Sequence, residues 1–93
     1  MLRAVVTLTN PHGLHARPAA AFTMAASSYP CEVTVEKAGR VVNAKSIISL
    51  LALDCKFGDE IVIGADGTNA AEALTRLVSL VEAGLGEAVE AAS

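Results

Sequence analysis

The chain has no tryptophan, one tyrosine and two phenylalanines, so aromatic residues make up only 3% of its 93 positions. Its core cannot be built on large flat rings and must be filled by Val, Ile, Leu and Ala, which suits a compact α/β domain. No apolar run approaches the roughly 20 residues that cross a bilayer, so membrane insertion is not expected. Basic charge is scarce as well: seven Lys and Arg against ten Asp and Glu give a formal net charge of −3. That balance offers no positive field to nucleic acid or anionic lipid, and nucleic acid is not an expected partner. Cys31 and Cys55 stand in no CxxC or metal-ligand spacing, so buried, reduced thiols are expected. Two histidines are too few for a structural zinc site. Met1, Leu2 and Arg3 lead straight into an alternating pattern, without the charged and apolar regions of a signal peptide, so the chain is expected to be cytoplasmic. A length of 93 residues holds one core but not separate substrate and cofactor lobes, and residues 1–93 are expected to form a single domain.

What the chain does have is a set of reactive side chains on a constrained backbone, in the run Asn10 to Ala21, NPHGLHARPAAA. Gly13 can supply a left-handed backbone angle after the Asn10-Pro11 turn, and an alanine-rich helical run begins just beyond His15. Pro18 falls in the first helical turn, where a missing N–H costs little and a fixed φ suits a helix start. The N-cap is His15, not the Ser, Thr, Asp or Asn whose oxygen would occupy the first-turn donors. Those amides stay free, and with Arg17 beside them they suit a phosphate or carboxylate. The His15 imidazole stands next to that place, and a neutral ring nitrogen is nucleophilic near pH 7 and can form covalent intermediates. A phosphoryl group on it would lie among the helix amides of Ala16 and Arg17 and the Arg17 guanidinium. The same pattern also fits two solvated side chains at an ordinary helix start.

Ala4 to Leu8 is short, β-branched and bounded by Thr9, Asn10 and Pro11, and reads as the first strand. The first helix runs from about Ala16 to Ser27, with Ala19, Phe22, Met24 and Ala26 as its core-facing stripe. Glu32 to Lys37 alternates, Val33 and Val35 on one face and Glu32, Thr34 and Glu36 on the other, as a half-buried strand does. Lys37 to Arg40 is a turn signal, and Val41 and Val42 return as the second arm of a hairpin. Ser46 can cap a short helix from about Ile47 to Leu53 by accepting a backbone N–H. Ile47, Ile48, Leu50, Leu51 and Leu53 surround that helix, so some of them must stay exposed, next to the reactive loop, as a candidate docking surface. Glu60 to Ala65 reads as a strand with Ile61, Val62 and Ile63 well buried. From Ala70 to Ala83, Leu74, Leu77, Val78, Val81 and then Leu85 keep helical spacing, Gly84 and Gly86 mark the end, and Glu87 to Ser93 is expected to fray. The order is βαββαβα, an α+β domain whose helices cover one face of a four-stranded antiparallel sheet. Periodicity alone does not separate this from a ferredoxin-like arrangement.

The run Gly13, Leu14, His15, Ala16, Arg17, Pro18, Ala19 resembles the active-site signature of the histidine-containing phosphocarrier (HPr) family of the bacterial phosphoenolpyruvate-dependent sugar phosphotransferase system. Asn43, Ala44, Lys45, Ser46, Ile47, Ile48 resembles that family's regulatory-serine segment, and the likeness spans nearly the whole chain. The resemblance implies an open-faced sandwich with strand order 1-4-2-3 and three helices on one face. It implies that His15 accepts a phosphoryl group on Nδ1 from phosphorylated Enzyme I and passes it to the A component of a sugar permease. Arg17 and the backbone of Ala16 and Arg17 would stabilise the phosphate, and the resemblance implies no bound metal or organic cofactor. Ile47, Ile48, Leu51 and Ala20 would dock partners, and a monomer is expected. In related proteins an ATP-dependent HPr kinase/phosphorylase modifies the serine at Ser46 and weakens the Enzyme I interaction. His12 departs from the Asn, Ser or Thr often found there; it can bond the phosphate, tune His15 by like-charge repulsion, or be a solvated loop residue. Two other readings are a carrier in a nitrogen-related branch and a non-carrier regulatory module using the Ile47, Ile48, Leu51 patch. His15 speaks against the second, because the family's purely regulatory members replace that histidine.

Overall fold

Alternating strands and helical stripes along the chain become β1 (Leu2–Thr7), α1 (Ala16–Ser27), β2 (Glu32–Lys37), β3 (Arg40–Asn43), α2 (Ile47–Ala52), β4 (Glu60–Asp66) and α3 (Ala70–Glu82). This is a computed structural model, and it describes residues 1–87; residues 88–93, most of the segment expected to fray, lie outside the described residues. The four strands form one antiparallel sheet in the order β1-β4-β2-β3. The fold is thus the open-faced α+β sandwich that the resemblance implies.

Register explains why one face is covered. Val6 pairs with Ile61, Val35 with Ile63 and Val33 with Ala65, and all six are buried. Because side chains alternate along a strand, Val5, Val62, Thr34 and Glu36 fall on the other face. Onto the apolar face pack Ala19, Phe22 and Ala26 of α1, Leu50 of α2, and Ala73, Leu77 and Val81 of α3. Each fully buried large aliphatic or aromatic side chain here contributes about 1.5–3 kcal/mol. The small alanines let the helices approach the sheet closely.

Two expectations about this core are corrected. Met24 is 75% exposed and does not belong to the α1 stripe. It follows Phe22 by two residues, about 200° around the helix, and so points away from the sheet. Val62 is only half-buried while Ile61 and Ile63 are fully buried, because helices cover a single face of β4. Boundaries also shift slightly: β1 begins at Leu2 and β4 reaches Asp66, while α2 ends at Ala52 with Leu53 as its cap. The β2–β3 hairpin turns through Ala38 at φ 51° and Gly39 at φ 85°, the two left-handed residues that match the twist of the flanking strands. Both cysteines are buried and unpaired, and burial pushes the Cys55 thiol up from its ordinary pKa.

Candidate functional site

The loop after β1 is stitched to the loop before β4. Leu8 donates to the Asp59 carbonyl at 2.9 Å and accepts from the Gly58 N–H at 2.9 Å, which continues the pairing beyond β1. Gly13 then donates to the Asn10 carbonyl at 2.9 Å and Leu14 to the Cys55 carbonyl at 3.0 Å. Gly13 has φ 65°, the left-handed region that glycine enters without penalty. Leu14 is buried, so the turn delivers His15 to the surface at the head of α1.

His15 is the N-cap, with extended backbone and no side-chain cap bond. The Ala19 N–H closes the first turn on the His15 carbonyl at 2.9 Å, and Pro18 has no N–H to satisfy. The amides of Ala16 and Arg17 are first-turn donors without an intrahelical partner, and both residues are exposed. His12 is exposed too, its ring edge-on to His15 with centroids 5.9 Å apart. The His15 side chain is 39% exposed, its Nε2 lying 2.8 Å from Oε2 of Glu87.

Glu87 is the residue that sequence reasoning missed, having been assigned to the fraying tail. The end of α3 brings it here. Gly84 donates to the Val81 carbonyl at 3.1 Å and Leu85 to the Leu80 carbonyl at 2.8 Å, the paired bonds of a Schellman turn. Gly84 and Leu85 both take left-handed φ, 89° and 53°, and Leu85 is buried. The chain therefore folds back, and Glu87 donates its N–H to the Gly84 carbonyl at 3.0 Å. The signal was present: a glycine just past a helix followed by an apolar residue implies a turn that buries that residue.

Asn10 locks this turn onto the loop. It is 1% exposed, and its Nδ2 donates to the Gly84 carbonyl at 2.9 Å and to Glu87 Oε1 at 2.8 Å. Two acceptors fix which end of the amide faces them, leaving Oδ1 buried without a hydrogen-bond partner among the described residues. The Asn10 bond, followed by the bond from His15 and the charges of His15 and Arg17, holds the Glu87 carboxyl below the ordinary glutamate range, against an opposing effect of burial. Asn10→Asp would set a carboxylate against a carbonyl and a second carboxylate and would remove both donated bonds. The expected loss is on the order of 3 kcal/mol, read from the urea midpoint. A variant as stable as the wild type would rule out this amide orientation.

At α2, Ser46 is the N-cap, and its hydroxyl oxygen accepts from the Ser49 N–H at 3.3 Å. Leu50 and Leu53 turn into the core, Ile47 is partly buried against it, and Ile48 and Leu51 are 77% and 40% exposed. Ala20 is half-buried on α1, which packs against α2. Among the described residues no group of three or more His, Cys, Asp or Glu side chains could hold a metal ion.

The family described as "PTS HPr component phosphorylation site" matches residues 2–83. The phosphocarrier protein HPr of Streptomyces coelicolor is 47% identical over 79 residues, spanning 84% of this chain and 85% of the relative. Among solved structures, HPr-C-His from Thermoanaerobacter tengcongensis superposes with a TM-score of 0.91 at 39% identity, covering 95% of this chain and 99% of that one. An HPr dimer from the same organism gives a TM-score of 0.75 at 39% identity, covering 94% of this chain and 100% of that one.

Proposed function

The chain belongs to the HPr family of phosphocarrier proteins, and from that premise we propose that His15 is its phosphoryl acceptor, taking phosphate from Enzyme I and handing it to the A component of sugar permeases. The observation that carries this reading is His15 at an uncapped helix start with one edge of its ring held by Glu87. The Nδ1 lone pair forms the bond to phosphorus while the bond from the donor's nitrogen to phosphorus breaks. Onward transfer reverses the roles. The Ala16 and Arg17 amides at the positive end of α1, with the Arg17 guanidinium, balance the charge on the phosphoryl oxygens. These contacts are few and exposed, which suits a group that must leave again. No metal or organic cofactor is needed for this step.

His12 is proposed as a solvated neighbour of the site, and residues 1–93 as one carrier domain working as a monomer in the cytoplasm, although a relative has been solved as a dimer. The test is incubation with phosphoenolpyruvate, Mg²⁺ and Enzyme I, followed by intact mass. One acid-labile phosphoryl group is expected, and its absence while a known carrier labels in the same mixture would defeat the assignment.

The exposed Ile48 and Leu51, with Ile47 and Ala20, are proposed as the surface that partners cover, and Ser46 as its control point for an HPr kinase/phosphorylase. Phosphate on an N-cap hydroxyl favours the helix locally, so inhibition would come from charge beside the aliphatic patch and not from unfolding. Ser46→Asp is expected to weaken binding to Enzyme I on the order of tenfold without lowering thermal stability. Equal affinity by calorimetry would remove Ser46 from this role.

A further inference from the structure

We propose that Glu87 is a positioning residue for phosphoryl transfer: its carboxylate keeps the proton on Nε2 of His15, so that Nδ1 presents the lone pair, and offsets the positive charge the ring gains when Nδ1 bonds to phosphorus. The inference rests on the reading of His15 as the acceptor.

Its basis is geometric. The Nε2 to Oε2 distance is 2.8 Å, and an ionised carboxylate can only accept, so Nε2 is the donor and carries the hydrogen. In the neutral ring that leaves Nδ1 unprotonated. Glu87 is not a loosely placed surface acid. Its side chain is 17% exposed, its other oxygen takes the Asn10 amide at 2.8 Å, and its N–H is bound to the Gly84 carbonyl at 3.0 Å. Among the described residues the charged or titratable groups around the pair are His12, edge-on to the His15 ring, and Arg17, whose charge acts on Glu87. Neither competes with the contact at Nε2.

The step balances without releasing a proton. As Nδ1 donates its pair to phosphorus, the donor's nitrogen recovers the pair of the broken bond. The His15 ring then carries a positive charge with its Nε2 hydrogen still shared with Glu87. On onward transfer the pair of the N–P bond returns to Nδ1, and the leaving group is a neutral imidazole. Had Nε2 lost its proton, the leaving group would be an imidazolate, which departs far less readily. A buried carboxylate that orients a catalytic imidazole by its far nitrogen does comparable work in hydrolytic triads.

The test compares wild type, Glu87→Ala and Glu87→Gln, using ¹⁵N-histidine spectra of the unphosphorylated proteins near neutral pH and single-turnover transfer from His15. In the wild type Nε2 should be protonated and Nδ1 not. In Glu87→Ala the two nitrogen shifts should move toward a tautomer mixture. Its onward transfer at saturating acceptor should fall roughly tenfold or more, with affinity for Enzyme I unchanged. Glu87→Gln has one acceptor oxygen where the carboxylate has two, so it cannot serve Asn10 Nδ2 and His15 Nε2 at once and should restore neither the full tautomer bias nor the full rate. Unchanged shifts and rates within twofold in Glu87→Ala would overturn the role while leaving the carrier reading intact. No acid-labile label on the wild type would overturn both.

Discussion

His15→Ala is expected to abolish acid-labile labelling, a loss of more than about a thousandfold in phosphoryl acceptance, while the chain stays folded. The two outcomes separate because the side chain is the proposed acceptor yet adds hardly anything to the core. Its imidazole is partly exposed and makes no cap bond to the first turn of α1, so alanine at the N-cap gives up little of what a serine or aspartate there would provide. Among the described residues the truncation gives up the contacts of the ring with Glu87 and with the edge of His12, and Glu87 keeps its Asn10 partner. A stability change within about 1 kcal/mol is therefore expected by thermal denaturation. His12 cannot stand in. Its ring lies 5.9 Å from the His15 ring, and it belongs to the loop, not to the head of the helix. Acid-labile label surviving on the alanine variant would move the acceptor to another residue, His12 first. An acid-stable label would instead indicate a serine ester, with Ser46 the residue to examine.

Gly13→Ala should have a large effect on stability, as large as that of Asn10→Asp. At φ 65° an alanine side chain is strained, by roughly 1–2 kcal/mol. The space is also taken: a Cβ at residue 13 would lie 2.0 Å from the Cys55 carbonyl oxygen and 2.6 Å from the Lys56 Cα, both backbone atoms that cannot rotate away. That same carbonyl accepts the Leu14 N–H, so relieving the clash lifts the site loop off the segment before β4 and breaks the bond that seats it. Strain and lost bonding together come to about 3 kcal/mol, or a fall of about 15 °C in melting temperature for a domain of this size. His15 follows two residues later, so transfer should weaken with the displacement. A urea midpoint equal to that of wild type would show that the loop tolerates the shift and that Gly13 does not pin it.

Much of the frame was legible because local rules set it. Val33 and Val35 alternate with polar neighbours, and β2 buries both. Ser46 stands before an apolar run, and it caps α2. Ala19, Phe22 and Ala26 share a helical face, whereas Met24 was placed on that face by its chemistry instead of its angle and is found in solvent. Hydrophobicity without phase does not assign a residue to the core. Val62 shows the same for strands. An unbroken run of three aliphatics suggested cover on both sides, but the sheet has helices on one.

The amino-acid sequence by itself determined the alternation of strands and helices, the glycine turn and the place of His15 at the start of an uncapped helix. These depend on periodicity, backbone freedom and capping, all of which act over a few neighbouring residues. Only the tertiary structure decided that β4 lies between β1 and β2, that Asn10 is a buried clamp, and that Glu87 meets His15 across 72 positions of chain. Such contacts arise when a whole sheet and its helices pack at once. The Asn10 amide and the Glu87 carboxylate find each other because the core brings the end of α3 against the loop after β1, and no local pattern contains that distance.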